Sequence, residues 1–269
     1  MKALLKRLFF SFCVTLLSSC NSDSGPSGGG GVATNFAITG SGMNATVSTS
    51  SNWFFPSAYA LTPPPLLDSN LANVDLLEAW IVVKNIHFFR PSDPAVQSSA
   101  GDNYKGPFFV DLLDGTPEQF GQIVLHSDGL RRVKMLLHKS NSLPAGVPVE
   151  LSGNSMYFKG TVNGHTFTYT SDDTTVFDVY GDRAVYPQDG EKLMVTFRIA
   201  NLFKKIDLSA INMDMDISAT NRVSATNPCP LIHASALNLY TCFRQGMNKE
   251  AKFGVDDGDD DLSDSETVN

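Results

Sequence analysis

The chain has 269 residues, of which 42% are hydrophobic, with 18 phenylalanines among them. This apolar content is ample for a packed core and excludes a globally disordered chain. The 20 Lys and Arg against 28 Asp and Glu give a net charge of −8, which argues against a nucleic-acid-binding protein and against electrostatic docking on anionic lipid.

The first 19 residues have the layout of a secretory signal peptide. Lys2, Lys6 and Arg7 precede an apolar stretch over residues 8–17, and two serines follow it. The apolar stretch is about ten residues long, roughly half of what is needed to cross a bilayer core. We therefore expect residues 1–19 to direct export and to be removed.

A cysteine follows directly after this segment. The sequence Leu17-Ser18-Ser19-Cys20 resembles the lipobox of bacterial lipoproteins, in which the cysteine thiol is diacylated and becomes the new N-terminus. The resemblance implies a mature chain anchored at Cys20, with a net charge of −11 from 17 basic and 28 acidic residues. In that family Asn21, in place of an aspartate, favours the outer membrane. A plain secretory signal with an incidental Cys20 is the alternative.

Two cysteines remain in the exported part of the chain. Cys13 leaves with the signal peptide and Cys20 carries lipid, so Cys229 and Cys242 form an even pair. An even pair in an oxidising compartment favours a disulfide. A metal site is the alternative, but no Cys-x-x-Cys or histidine-rich motif accompanies these residues.

Residues 20–34 are rich in Gly and Ser and predict a flexible tether. Residues 35–228 consist of short apolar runs separated by turn residues, with about nine or ten predicted strands and no sustained helical period. This pattern predicts an all-β fold, either a sandwich or a barrel, and an antiparallel β-sandwich is the favoured architecture. The predicted strands cover residues 35–40, 44–48, 76–90, 108–113, 132–139, 156–162, 165–170, 175–180, 192–199 and 211–217.

Two regions allow more specific predictions. The strand over residues 76–90 is apolar on both sides, which is typical of a strand covered on both faces. Residues 156–162 and 165–170 flank Asn163-Gly164, the pair preferred in a two-residue type I′ hairpin. Strict alternation in the long strand places Leu77, Ala79, Ile81 and Val83 on one face and Trp80, Val82, Ile86 and Phe88 on the other.

Beyond residue 228 the pattern becomes helical. Leu237, Tyr240 and Phe243 have helical spacing and predict a helix from about residue 234 to residue 246. A bridge between Cys229 and Cys242 would clip this helix, so residues 229–250 are assigned to a Cys-clipped helical segment. Residues 251–269 are assigned to an acidic tail, and both chain termini are expected to be disordered.

Five stretches occur in an order shared with a known family: LEAWIVVKNIHFF, FFVDLL, LPAG, YFKGTVNGHTFTY and MVTFRIANLFKKIDLS. With the lipobox, this order resembles bacterial outer-membrane lipoproteins that carry a domain of unknown function with a prealbumin-like β-sandwich. The resemblance covers residues 36–215. It implies a Greek-key sandwich and an outer-membrane location, and it supplies no active-site residues.

The acidic tail predicts one metal ligand set. Asp257, Asp259 and Asp261 have the first-, third- and fifth-position spacing of an EF-hand calcium loop, and Ca²⁺ binds six to eight oxygens. Leu262 stands at the sixth position, where the loop needs Gly, and Val268 at the twelfth, where it needs Glu. A solvated acidic tail is the favoured alternative. No cofactor other than calcium is indicated.

No catalytic motif is recognisable, and no catalytic residue is assigned. The five histidines are scattered, and metalloprotease, nucleophile-elbow and phosphate-loop patterns are absent. Asn212, Asp214 and Asp216 share one predicted strand face, either as a carboxylate cluster or as a solvent-facing stripe. Asp111 and Asp178 are the candidate pair for a hydrolase.

Three functions are compatible with these features. The favoured one is a lipid-anchored β-sandwich of the cell envelope with a structural, adhesive or ligand-binding role and no catalysis. Its partners would be the membrane and an envelope protein or glycan, with no nucleic acid. The second is an exported hydrolase of glycans or peptides built on Asp111 and Asp178, which requires two carboxylates within about 5–10 Å. The third is a calcium-dependent module that uses the tail.

Overall fold

The computed structural model describes residues 32–41, 65–90, 103–114, 117–125, 129–186, 188 and 191–256. The predicted signal peptide, Cys20, most of the tether, the predicted strand at 44–48 and residues 257–269 lie outside the described residues. The described chain is mostly β. Its strands are β1 (Val32–Ser41), β2 (Leu66–Leu67), β3 (Asn73–Phe89), β4 (Asn103–Asp111), β5 (Glu118–Leu125), β6 (Leu130–Leu137), β7 (Met156–Val162), β8 (His165–Ser171), β9 (Thr175–Val185), β10 (Lys192–Arg198), β11 (Met215–Ile217) and β12 (Ala251–Asp256), and its α-helices are α1 (Ile199–Phe203) and α2 (Leu239–Lys249).

The strands form two sheets. The smaller has the order β12-β10-β1-β5; in the larger, β11-β8-β7-β3-β6-β9 follow one another and β2 and β4 also pair with β3. Most neighbours are antiparallel, but β1 runs parallel to β10 and β11 runs parallel to β8. The expectation of a purely antiparallel fold is therefore wrong at these two pairs. Both pairs join segments far apart in sequence, whose relative direction no hairpin turn constrains.

Strand β3 organises the larger sheet because two strands share one of its edges. Strand β7 pairs with the first half of β3 and β6 with the second half, while β4 occupies the opposite edge. The pairing partner of β3 changes from β7 to β6 at Val82. The N–H of Val82 donates to the carbonyl of Ser155 at 2.9 Å, and its carbonyl accepts from the N–H of His138 at 3.2 Å. Strands β6 and β7 thus lie end to end along one edge of β3 and form one row of the sheet. The loop over residues 138–155 connects them. Strands β9 and β8 form the next row.

Two β-bulges in β3 overturn the predicted faces of this strand. The pairing register shifts at Leu77 and again at Lys84, and each extra residue exchanges the two faces. Leu77 is consequently exposed, and the predicted placement of Leu77 on the same face as Ala79, Ile81 and Val83 is wrong. Ile86 and Phe88 lie in the main core instead, on the same side as Ala79, Ile81 and Val83.

The β7–β8 hairpin confirms the local turn prediction. Asn163 and Gly164 both have positive φ, 53° and 80°, as a type I′ turn requires. Val162 lies directly opposite His165, so the loop contains two residues.

The helices differ from the predicted helix. Helix α2 begins five residues later than expected, because Asn238 is extended, forms a β-bridge with Ser224, and caps the helix by accepting from the N–H of Thr241 at 2.9 Å. Helix α1 was not predicted, because the alternation of apolar and polar residues that predicts β10 continues as far as Ile199, the first residue of the helix. Its apolar residues Ile199, Leu202 and Phe203 are buried at helical spacing.

The C-terminal assignments also need correction. The predicted acidic tail from residue 251 is wrong for Ala251–Asp256, which form β12 and pair with β10. The predicted strand at 211–217 is reduced to Met215–Ile217. The calcium hypothesis therefore concerns residues 257–269 alone.

Aromatic side chains join the elements into one core. Phe36 of β1 packs edge-to-face on Phe88 of β3 with ring centroids 5.0 Å apart, and Phe177 of β9 lies 5.7 Å from Phe197 of β10. Helix α2 packs on β7 and β8 through Phe243, whose ring lies 4.9 Å from that of Tyr169 and also contacts Phe158 and Phe167. The two sheets and the helix therefore bury one continuous hydrophobic cluster.

Candidate functional site

The predicted disulfide is confirmed. Cys229 and Cys242 are bonded, with Cα atoms 5.8 Å apart, and both residues are fully buried. The bond fastens the first turn of α2 to the segment that precedes the helix. Cys20, Asp257, Asp259 and Asp261 lie outside the described residues, and their predicted roles stay predictions.

The structure does not bring Asp111 and Asp178 together. Asp111 ends β4 and lies opposite Trp80 of β3. Asp178 of β9 lies opposite Lys134 of β6. Lys134 in turn lies opposite His87 of β3. Seven residues along β3 correspond to about 23 Å, well beyond the separation that a glycosidase pair requires. Asp111 also accepts from the N–H of Leu113 at 2.9 Å. Burial raises the pKa of Asp111, and this hydrogen bond offsets only part of that effect.

Asp178 is engaged in an ion pair with Arg132. The guanidinium donates to both carboxylate oxygens, and these hydrogen bonds raise the pKa of Arg132. The guanidinium carbon lies 4.9 Å from the ring centre of Phe89 and 4.4 Å from that of Tyr180. Such a bidentate, stacked geometry stabilises a structural pair, and it leaves Asp178 poorly placed to act as a nucleophile or a base.

The predicted stripe of Asn212, Asp214 and Asp216 does not form a metal cluster. Asp214 accepts from the backbone N–H of Thr166 at 2.8 Å, and Asp216 accepts from the hydroxyl of Thr168. These bonds fasten the segment that contains β11 to strand β8. Within the described ranges, no three His, Cys, Asp or Glu side chains are grouped so that they could hold a metal ion.

A polar network that the sequence did not reveal connects α2 to the end of β8. Tyr240 donates to Asp173 at 2.9 Å, Arg244 donates to the same oxygen at 2.6 Å, and the hydroxyls of Tyr240 and Ser171 lie 3.2 Å apart. Tyr240 and Arg244 are four residues apart on one helix face, but their partner lies 67 residues before Tyr240. Only tertiary structure brings these groups together.

This network is arranged for fastening rather than for nucleophilic chemistry. Ser171 is fully buried, and burial raises the pKa of Tyr240, which favours the protonated hydroxyl that donates to Asp173. Burial raises the pKa of Asp173, but the hydrogen bonds from Arg244 and Tyr240 outweigh it and hold the pKa below its ordinary value. The carboxylate therefore stays ionised and binds α2 to the sheet.

The described residues also form a groove of about 610 Å³. It lies where β2, the first residues of β3 and the β7–β8 turn meet. This volume falls within the range of small-molecule sites, about 300–1,000 Å³. Of the residues that line it, Asn73, Asp75 and Asn163 are exposed, whereas Leu66, Val74, Leu76 and Val162 are buried. Its lining comes from residues 65–66, 73–76 and 161–164, so no contiguous motif marks it in the sequence.

Comparison of the chain with family models, curated proteins and solved structures finds no match. Neither helix of the described part of the chain is long and apolar enough to cross a membrane.

Proposed function

We propose that the chain is a lipid-anchored protein of the bacterial outer membrane, acylated at Cys20, with a structural, adhesive or ligand-binding role and no catalysis. The observation that carries this proposal is the buried disulfide between Cys229 and Cys242. Such bonds persist in exported proteins and are rare in the cytosol. Export is also what residues 1–19 predict. We further infer that the two sheets form a Greek-key, prealbumin-like sandwich, which their shared aromatic core supports.

A thioether-linked lipid at Cys20 would account for attachment. Each buried CH₂ group contributes about 0.8 kcal/mol, and one acyl chain alone binds membranes only marginally, whereas two bind stably. Strand β1 begins at Val32, so the linker from Cys20 is slightly shorter than the predicted 20–34. A Gly- and Ser-rich linker of this length would hold the domain about 20 Å from its lipid.

Metabolic labelling with radioactive palmitate tests the anchor. The wild-type chain should incorporate label and sediment with the outer membrane, whereas Cys20→Ala should do neither. Cys13→Ala is the matched control, because it removes a cysteine from the same segment outside the lipobox and should leave labelling unchanged.

Two results would contradict the proposal. Equal labelling of wild type and Cys20→Ala would place the lipid elsewhere. A wild-type chain that enters the aqueous phase of a detergent extraction would show that it carries no anchor.

A further inference from the structure

The outer face of the larger sheet, opposite the main core, carries a second and smaller hydrophobic cluster. Val82 of β3, Tyr157 of β7 and Leu151 of the loop between β6 and β7 are buried in it. Trp80 of β3 and Phe109 of β4 pack against these residues but stay partly exposed. The loop therefore covers only part of the cluster, and two aromatic side chains reach the surface of the sheet.

Hydrogen-bonding groups surround Trp80 on this face. Asp111 of β4 lies directly opposite Trp80, and residues directly opposite each other in an antiparallel pair have their side chains on one face. Glu78, two positions before Trp80, lies opposite Lys159 of β7. The carboxylate and ammonium groups of this second pair are 3.5 Å apart, and the side chains are 31% and 35% exposed. A ligand over Trp80 would meet both donors and acceptors.

Two of these groups have hydrogen-bonding capacity that the protein leaves unused. The indole N–H of Trp80 donates to no acceptor in the described part of the chain, and it is not enclosed. One oxygen of Asp111 accepts from the N–H of Leu113 at 2.9 Å, whereas the other accepts no hydrogen bond from the described residues. Burial raises the pKa of Asp111, and the nearby carboxylates of Asp114 and Glu78 raise it further. These negative surroundings disfavour an anionic ligand.

This combination of groups fits a neutral sugar better than other classes of ligand. A pyranose ring has an apolar C–H face that can stack on an aromatic ring, and hydroxyl groups that both donate and accept hydrogen bonds. An organic cation would leave the indole N–H and the ammonium group of Lys159 pointing at positive charge. A purely apolar ligand would take the carboxylate of Asp111 out of water without giving it a donor, which costs free energy.

We propose that the face around Trp80 binds a neutral oligosaccharide built of pyranose rings. One ring stacks on the indole, one of its hydroxyls accepts from the indole N–H, and another donates to the carboxylate of Asp111. A neighbouring ring lies over Phe109. This inference rests on the ligand-binding role in the proposed function and names the chemical class of the ligand.

Calorimetric titration tests the proposal with three neutral tetrasaccharides: cellotetraose, maltotetraose and the tetramer of N-acetylglucosamine. The protein is the full chain, purified from whichever fraction contains it and held in zwitterionic nanodiscs if membrane-bound, with empty nanodiscs as the reference. At least one tetrasaccharide should bind saturably. Tetraethylene glycol, which has no sugar ring to stack, should not bind.

Fluorescence shows whether the binding is at the proposed place. The chain has two tryptophans, Trp53 and Trp80, so the emission of the Trp53→Phe variant reports Trp80 alone. A tetrasaccharide that binds should shift this emission to shorter wavelength and saturate at the concentrations found by calorimetry, because stacking removes water from the indole.

Two variants test the hydrogen bonds without removing the aromatic platform. Asp111→Asn keeps the shape but loses the charge, and it should weaken binding about fivefold, since hydrogen bonds to a carboxylate are about twice as strong as neutral ones. Trp80→Phe keeps an aromatic ring but loses the N–H, and it should also weaken binding about fivefold. Asp182→Asn is the matched control. It removes an exposed carboxylate from β9, beyond the pairing of Tyr180 with Arg132 and far from Trp80, and it should change nothing.

Any of three outcomes overturns the inference: no saturable binding of any of the three tetrasaccharides, binding that leaves the emission of Trp80 unchanged, or wild-type affinity in both Asp111→Asn and Trp80→Phe. These outcomes are independent of the labelling of Cys20. Failure of the lipid anchor changes the fraction in which the chain is found, whereas failure of the sugar site changes only the titrations.

Discussion

Removal of the Cys229–Cys242 bond should lower the free energy of unfolding by about 3 to 5 kcal/mol. The two cysteines are 13 positions apart, and closing a loop of this length in the unfolded chain corresponds to about 3 kcal/mol in the chain-entropy description. The sulfur atoms are fully buried, so replacement by Ala also removes packing contacts.

Urea unfolding, followed by circular dichroism, measures this effect in the double variant Cys229→Ala/Cys242→Ala. With a slope of about 2–3 kcal/mol per molar urea, the midpoint should fall by about 1–2.5 M. Leu237→Ala is the control, because this side chain lies inside the same loop and is 70% exposed. Its effect should stay within about 0.5 kcal/mol.

The reasoning would be refuted if the double variant unfolded within about 0.3 M urea of the wild type. Such a result would mean that the unfolded chain is already compact over residues 229–242, so that the bond restricts little. A large shift in Leu237→Ala would equally show that the loop is stabilised by contacts other than the disulfide.

Three further changes test the packing and the charges. Phe243→Ala should cost about 3–5 kcal/mol in urea unfolding, because the ring fills the space between α2 and the sheet, whereas Gln245→Ala on the same helix should cost less than about 0.5 kcal/mol. Asp178→Asn should cost about 1–3 kcal/mol, because it leaves the buried guanidinium of Arg132 without its counter-charge. The pKa of Asp173 lies below its ordinary 3.8 in the folded chain, so its stabilisation is complete above that pH and is lost as the pH falls through the folded value. A pH series of urea midpoints should therefore show a weaker acid decline in Asp173→Asn than in the wild type.

The contradicting outcomes differ among these changes. Equal midpoints for the Phe243 and Gln245 variants would show that α2 is not docked through that ring. A neutral Asp178→Asn would show that Arg132 finds another counter-charge or is solvated. Parallel acid declines in wild type and Asp173→Asn would assign the pH dependence to other carboxylates.

Local chemistry made several features predictable. Asn163-Gly164 predicts its hairpin because both residues tolerate positive φ and the flanking residues alternate, so the information lies within a few positions. The disulfide was predicted from an even cysteine count and from the export that residues 1–19 predict. Strands β6, β7, β8 and β10 were predicted closely, since their sequences alternate in a period of two, although β10 is buried on both faces from Leu193 to Phe197.

The candidate sites were less predictable because they are assembled from distant segments. Asp111 and Asp178 were paired on residue type alone, and the sheet places them on different rows of strands. The partner of Tyr240 and Arg244 lies in the turn after β8. The groove joins residues 65–66, 73–76 and 161–164, so its position could not be inferred from spacing.

By itself, the sequence determined the β-rich class, one hairpin and the pairing of Cys229 with Cys242. It also predicts an export signal. Only the tertiary structure decided the two bulges of β3, the parallel neighbours of β1 and β8, and the recruitment of Ala251–Asp256 as an edge strand. The physical reason is that a strand is completed by the backbone groups of its neighbours, and those neighbours are chosen by packing across the whole chain. The alternation of apolar and polar side chains indicates which face of a strand is buried, but it does not indicate which strand pairs with it.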